Sequence, residues 1–105
     1  YQAEYTAFPV VVDDSRPAET VRVVGKYCES GDILVHNATM QHFNAGELLG
    51  VNSTGAYGYS MASNYNRNPR PAVVFVENGK SRLVIRRETY ADMMQLDVPL
   101  ENSGV

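Results

Sequence analysis

At 105 residues, with 44% hydrophobic and 20% charged residues, the chain fits one small globular domain and lies outside the composition of disordered segments. It is too short to hold a (β/α)8 barrel, which takes roughly 250 residues. The net charge of −3 with nine scattered Lys and Arg residues argues against nucleic-acid binding, and no apolar run approaches the about 18 residues of a membrane helix.

Residues 8–12, Phe8-Pro9-Val10-Val11-Val12, form a short apolar, β-branched run that predicts a strand with proline near its start. Residues 13–19, with Asp-Asp-Ser-Arg-Pro, read as a loop. Strands are then expected at residues 21–25, at 33–35 after the Ser30-Gly31-Asp32 turn, and at 47–51 after Asn44-Ala45-Gly46. From Gly55 the texture changes: Tyr57, Met61 and Tyr65 recur every four residues before Pro69 and Pro71, which predicts a short helical segment.

Residues 72–76 and 81–85 are β-rich and flank Glu77-Asn78-Gly79-Lys80, a hairpin signal because Asn and Gly tolerate the positive φ of a type I′ turn. Thr89-Tyr90-Ala91-Asp92 has the form of a capping box, so a last helix should start there and run to about Gln95. Residues 99–105 read as a tail, leaving residues 1–98 as one mainly β domain. The amino terminus lacks the pattern of a signal peptide, and one cysteine cannot form an internal disulfide; both agree with a cytoplasmic protein.

Two segments could carry chemistry. Cys28-Glu29-Ser30-Gly31-Asp32 sets a thiol and a carboxylate in a strand-to-strand connection that could present them to a ligand. Taken alone, a single cysteine in a β-rich domain is more often a small buried hydrophobe, and Glu29 a solvated carboxylate. Gly55-Ala56-Tyr57-Gly58-Tyr59-Ser60 offers amides before a helical segment, suited to an anion or simply a turn. His36 and His42 have no zinc-like arrangement of neighbours and read as surface residues; no metal site is expected.

Four ordered blocks then carry a resemblance: Val24-Gly25-Lys26-Tyr27-Cys28-Glu29-Ser30-Gly31-Asp32; Thr54-Gly55-Ala56-Tyr57-Gly58-Tyr59-Ser60-Met61-Ala62-Ser63-Asn64-Tyr65-Asn66; Arg70-Pro71-Ala72; and Arg86-Arg87-Glu88-Thr89. Together they resemble the C-terminal β-domain of diaminopimelate decarboxylases, whose fold is similar to that of alanine racemase. The opening Tyr1-Gln2-Ala3 is similar to the end of the family's Arg-Pro-x-Leu-Tyr segment, cut just before Tyr1.

The resemblance implies a barrel- or sandwich-like β-domain that partners a (β/α)8 barrel binding pyridoxal phosphate through a lysine, in a homodimer with active sites at the interface. The family's reaction converts meso-diaminopimelate to L-lysine and carbon dioxide. On this resemblance Cys28 matches the general acid, Glu29 a residue engaging the distal end of the substrate, Tyr57 a contact to the cofactor phosphate, and Tyr1 a substrate-binding tyrosine. Neither Lys26 nor Lys80 matches the cofactor-bearing lysine, so the isolated chain is expected to be inactive. The alternatives are a domain of an ornithine, arginine or carboxynorspermidine decarboxylase, and a non-catalytic β-barrel that binds a ligand or partner. An aspartate is common at the Glu29 position in the ornithine and arginine enzymes, so the glutamate favours diaminopimelate.

Overall fold

The computed structural model describes residues 4–100, which divide into two compact units on either side of Ala56 and Tyr57. The first unit contains four strands, β1 (Ala7–Pro9), β2 (Ala18–Val24), β3 (Ile33–Gln41) and β4 (Leu49–Val51). They form two antiparallel pairs, β1 with β4 and β2 with β3. In the β1–β4 pair Phe8 lies opposite Gly50. A side chain at Gly50 would collide with the Phe8 ring, whose nearest atom stands 2.3 Å from the position of a Cβ. The aromatic ring thus fills the space that glycine leaves on the strand.

Strand β3 runs well past the expected residues 33–35, and its pairing explains why. Val21 faces Ala38, Val23 faces Val35 and Val24 faces Ile33, so β3 carries one additional residue at each of two irregularities. The irregularity between Val35 and Ala38 reverses which face successive side chains occupy. The inward positions change from Ile33 and Val35 to Ala38 and Met40, the two buried apolar residues among those described. A strict two-residue alternation therefore ends at Val35 although the strand does not. Strands β1 and β4 are shorter than expected: Val10, Val11 and Val12 lie outside β1, and Glu47 and Leu48 precede β4. Glu47 is engaged instead by Arg16, whose Nη1 donates to its two carboxylate oxygens at 2.6 and 2.8 Å.

In the second unit β5 (Val73–Glu77) and β6 (Lys80–Ile85) form the expected hairpin. Asn78 and Gly79 have φ of 51° and 75°, as a type I′ turn requires. The expected helical segment after Gly55 is a series of turns ending in a 3-10 helix at Tyr65–Arg67. The final helix, α1 (Tyr90–Met93), begins at the capping box: Asp92 N donates to Thr89 Oγ1 at 3.2 Å and Thr89 N to Asp92 Oδ2 at 2.9 Å. Arg86 clasps the same carboxylate with two bonds of 2.6 and 2.9 Å, and these hold the Asp92 carboxyl well below the usual carboxylate range. The helix stops at Met93, with turns rather than helix at residues 94–96.

The architecture is mainly β, as expected, but its strands form separate pairs rather than one closed sheet. Val74, Phe75, Val76, Leu83 and Val84 on the hairpin are all exposed. An isolated two-stranded hairpin is marginally stable in water, so these apolar side chains lack the cover that usually supports such a pair. Of the expected tail, residues 101–105 lie outside those described.

Candidate functional site

Cys28 and Glu29 sit on the connection from β2 to β3, and both are exposed. Cys28 is in the left-handed region with φ 54°, a conformation that disfavours residues with a Cβ. Such a residue persists only where its surroundings fix it. Here the fixing group is Asp32. Its Oδ2 accepts from the amide of Tyr27 at 3.0 Å, immediately before the cysteine. Its amide donates to Glu29 O at 3.0 Å, and its carbonyl accepts from Gly25 N at 3.0 Å, closing the mouth of the connection.

The space for this arrangement comes from Gly25. A Cβ there would stand 2.1 to 2.4 Å from the Asp32 carboxylate, so a side chain and the carboxylate exclude each other. Gly31 plays a lesser part: a Cβ would approach the flexible Glu29 carboxylate at 3.0 Å, which shows that Glu29 folds back over the turn. The sequence singled out Cys28 and Glu29 but not the pinning role of Asp32 or the room left by Gly25. The signal available was a carboxylate four residues beyond the cysteine in a turn flanked by glycines.

Tyr57 belongs to the second unit, is 62% exposed and lies in the run of turns. Its carbonyl accepts from Met61 N at 3.0 Å and from Ser60 Oγ at 3.4 Å. A phenolic hydroxyl suits a phosphate oxygen in the chemistry of its donor. Lys26 follows β2 and Lys80 opens β6, both exposed. His36 and His42 are exposed as expected, His42 pairing with Glu19 at 3.1 Å. Tyr1 lies outside the described residues. No helix among the described residues is long and apolar enough to cross a membrane.

Residues 1–55 match the family model described as "Pyridoxal-dependent decarboxylase, C-terminal sheet domain". The chain is 52% identical over 101 residues to the diaminopimelate decarboxylase of Bacillus subtilis, covering 96% of this chain and 23% of that protein. The Halalkalibacterium halodurans diaminopimelate decarboxylase is 51% identical over 100 residues, again covering 95% of this chain and 23% of that one. Among solved structures, the diaminopimelate decarboxylase of M. jannaschii in complex with L-lysine superposes with a TM-score of 0.85 at 33% identity, covering 94% of this chain and 22% of that one. The chain thus spans about a quarter of the length of the relatives it matches.

Proposed function

The chain belongs to the family of C-terminal sheet domains of pyridoxal-dependent decarboxylases, and from that premise we propose that it is the C-terminal domain, residues 1–98, of a cytoplasmic, homodimeric diaminopimelate decarboxylase. The observation that carries the reading is the exposed Cys28-Glu29 pair on a pinned, left-handed turn. Such a turn fixes the backbone that carries an exposed thiol and an exposed carboxylate, where a partner domain can meet them. The exposed apolar residues of the β5–β6 hairpin fit a domain covered by the remainder of a longer protein.

Bound pyridoxal phosphate supplies the electron sink for loss of the α-carboxylate of meso-diaminopimelate as carbon dioxide. Cys28 Sγ then holds the proton that passes to the α-carbon, completing L-lysine. Glu29 pairs with the ammonium group at the far end of the substrate and so selects a second charged centre. Tyr57 donates its phenolic hydrogen to the cofactor phosphate, while the covalent anchor comes from a lysine of the other domain. Tyr1 contributes to the substrate site.

The test is complementation between two inactive full-length chains. Cys28→Ala should lower turnover by roughly 100- to 10,000-fold while leaving cofactor binding nearly intact. Mixing it with a chain lacking the cofactor-bearing lysine should restore part of the wild-type activity, because one site of each mixed dimer has both groups. A mixed dimer that forms and stays inactive removes the shared site; full turnover by Cys28→Ala alone removes the general acid.

A further inference from the structure

The Arg70-Pro71-Ala72 and Arg86-Arg87-Glu88-Thr89 blocks have no part in the function above, yet the structure joins them through one side chain. Glu88 Oε1 accepts from the amide of Arg70 at 2.9 Å and from Asn64 Nδ2 at 2.5 Å. Its Oε2 stands 3.6 Å from Arg70 Nη1, and its amide donates to Arg70 O at 3.2 Å. Asn64 also donates to Asn68 O at 3.0 Å, bridging the two ends of the loop between them. The Glu88 side chain is 18% exposed, and the Arg70 amide and Asn64 together hold its carboxyl below the usual range.

The loop so clasped is strained. Asn66 and Arg67, neither of them glycine, both have left-handed φ, 55° and 60°. Two such residues in succession are costly and persist only where the surroundings over-determine them. The clasp extends toward Tyr57: Arg70 Nε donates to Ala62 O at 3.2 Å, Ala62 N to Tyr59 O at 2.9 Å, and Met61 N to Tyr57 O at 3.0 Å. An ion pair from Glu88 to the Arg70 guanidinium, the guanidinium's hydrogen bond to Ala62 O, and the turn bonds within residues 57–62 thus lead stepwise from the Glu88 carboxylate to the segment that carries Tyr57.

We infer that Glu88 is a positioning residue for cofactor-phosphate binding, holding residues 57–70 in the one conformation that presents Tyr57. This rests on the reading of Tyr57 as a phosphate contact. A carboxylate suits the task because it accepts several hydrogen bonds at once and pairs with the Arg70 guanidinium. Its effect is on presentation of a donor to the phosphate, and therefore on the preference for a phosphorylated over an unphosphorylated cofactor.

The test measures binding of pyridoxal phosphate and of pyridoxal to the full-length apo-protein by fluorescence titration, in wild type, Tyr57→Phe, Glu88→Ala and Glu88→Gln. Removing a hydrogen bond to a charged group costs roughly 10- to 100-fold, so Tyr57→Phe should cut the phosphate preference by about 10-fold or more. Glu88→Ala should cut it by about as much, and Glu88→Gln, which keeps an acceptor but not the charge, by less. In the double variant the losses should fall well short of multiplying, because both act on one contact. Equal weakening of both ligands by Glu88→Ala would mark a merely structural role and overturn the inference. So would an unchanged preference in a Glu88 variant while Tyr57→Phe loses it. An unchanged preference in Tyr57→Phe removes the Tyr57 reading, and the inference falls with it. Should Glu88→Ala fail to fold, Glu88→Gln decides on the same ratio.

Discussion

Two connections between antiparallel strands in this chain each place residues in the left-handed region, and they do so by opposite means. In the β5–β6 hairpin, Asn78 and Gly79 reach positive φ as two residues suited to it, in the shortest turn that joins two strands. The β2–β3 connection is longer, and its left-handed residue is Cys28, which has no intrinsic preference for that conformation. There the backbone is held by a side chain, the Asp32 carboxylate on the Tyr27 amide, in a space that Gly25 keeps open. A turn that must only reverse the chain is left to backbone preference. A turn that holds a cysteine left-handed recruits a side chain to hold it.

The comparison breaks most visibly at Gly25. Gly25→Ala sets a methyl group within 2.1 to 2.4 Å of the Asp32 carboxylate, so either the carboxylate leaves the Tyr27 amide or the connection shifts. A displacement on the order of 1 Å at reacting groups costs roughly 100-fold in rate. Gly25→Ala in the full-length enzyme should therefore lower kcat by about that factor and leave pyridoxal phosphate affinity unchanged. Asp32→Ala should fall in the same direction, since it removes the pin without adding bulk. Steady-state kinetics beside a cofactor titration decides the matter: unchanged kcat in both variants would mean that the pinned turn does not aim Cys28.

The same contrast accounts for what the sequence made legible. The Asn78-Gly79 hairpin and the Thr89–Asp92 capping box were readable because each is a local pattern whose residues suffice for the geometry. The length of β3 was not, because its two bulges depend on the partner strand and one of them reverses the alternation that marks a strand. At the candidate site, Cys28, Glu29 and Tyr57 stood out through the resemblance of whole blocks. Asp32 and Glu88 did not, since hydrogen bonds across 5, 18 and 24 residues of chain leave no periodic trace. The expected segment after Gly55 came out as turns and a 3-10 helix for a related reason: two left-handed residues, Asn66 and Arg67, interrupt it and are held from Glu88.

A smaller effect is expected at the hairpin. Gly79 has φ 75° and open space around the position of a Cβ, so Gly79→Ala meets backbone strain but no collision. A left-handed alanine costs roughly 1 to 2 kcal/mol, offset in part by the about 0.5 to 1 kcal/mol that alanine gains over glycine by restricting the unfolded chain. The net loss is about 0.5 to 1 kcal/mol, or roughly two- to fivefold faster exchange of the hairpin amides. Hydrogen exchange followed by mass spectrometry on the full-length protein reads this directly, and kcat should not change. A fall in kcat equal to that of Gly25→Ala would erase the distinction between a turn that only reverses the chain and one that aims a side chain.

An effect of comparable size but opposite sign comes from the same backbone region at Cys28. Both Cys28→Ala and Cys28→Gly remove the thiol, so the pair is compared by stability alone. Alanine at φ 54° keeps the left-handed strain of the cysteine. Glycine releases it, recovering roughly 1 to 2 kcal/mol, and surrenders about 0.5 to 1 kcal/mol to the greater freedom of the unfolded chain. Glycine should therefore be more stable than alanine by about 0.5 to 1 kcal/mol, whereas in most strands and helices it is the less stable of the two. The amides to follow are those of Gly25 and Asp32, which close the connection by donating to Asp32 O and Glu29 O. Their exchange should be roughly two- to fivefold slower in Cys28→Gly than in Cys28→Ala. Faster exchange in the glycine variant would mean that residue 28 is not held left-handed in the folded protein, and the reason for pinning the turn with Asp32 would go with it.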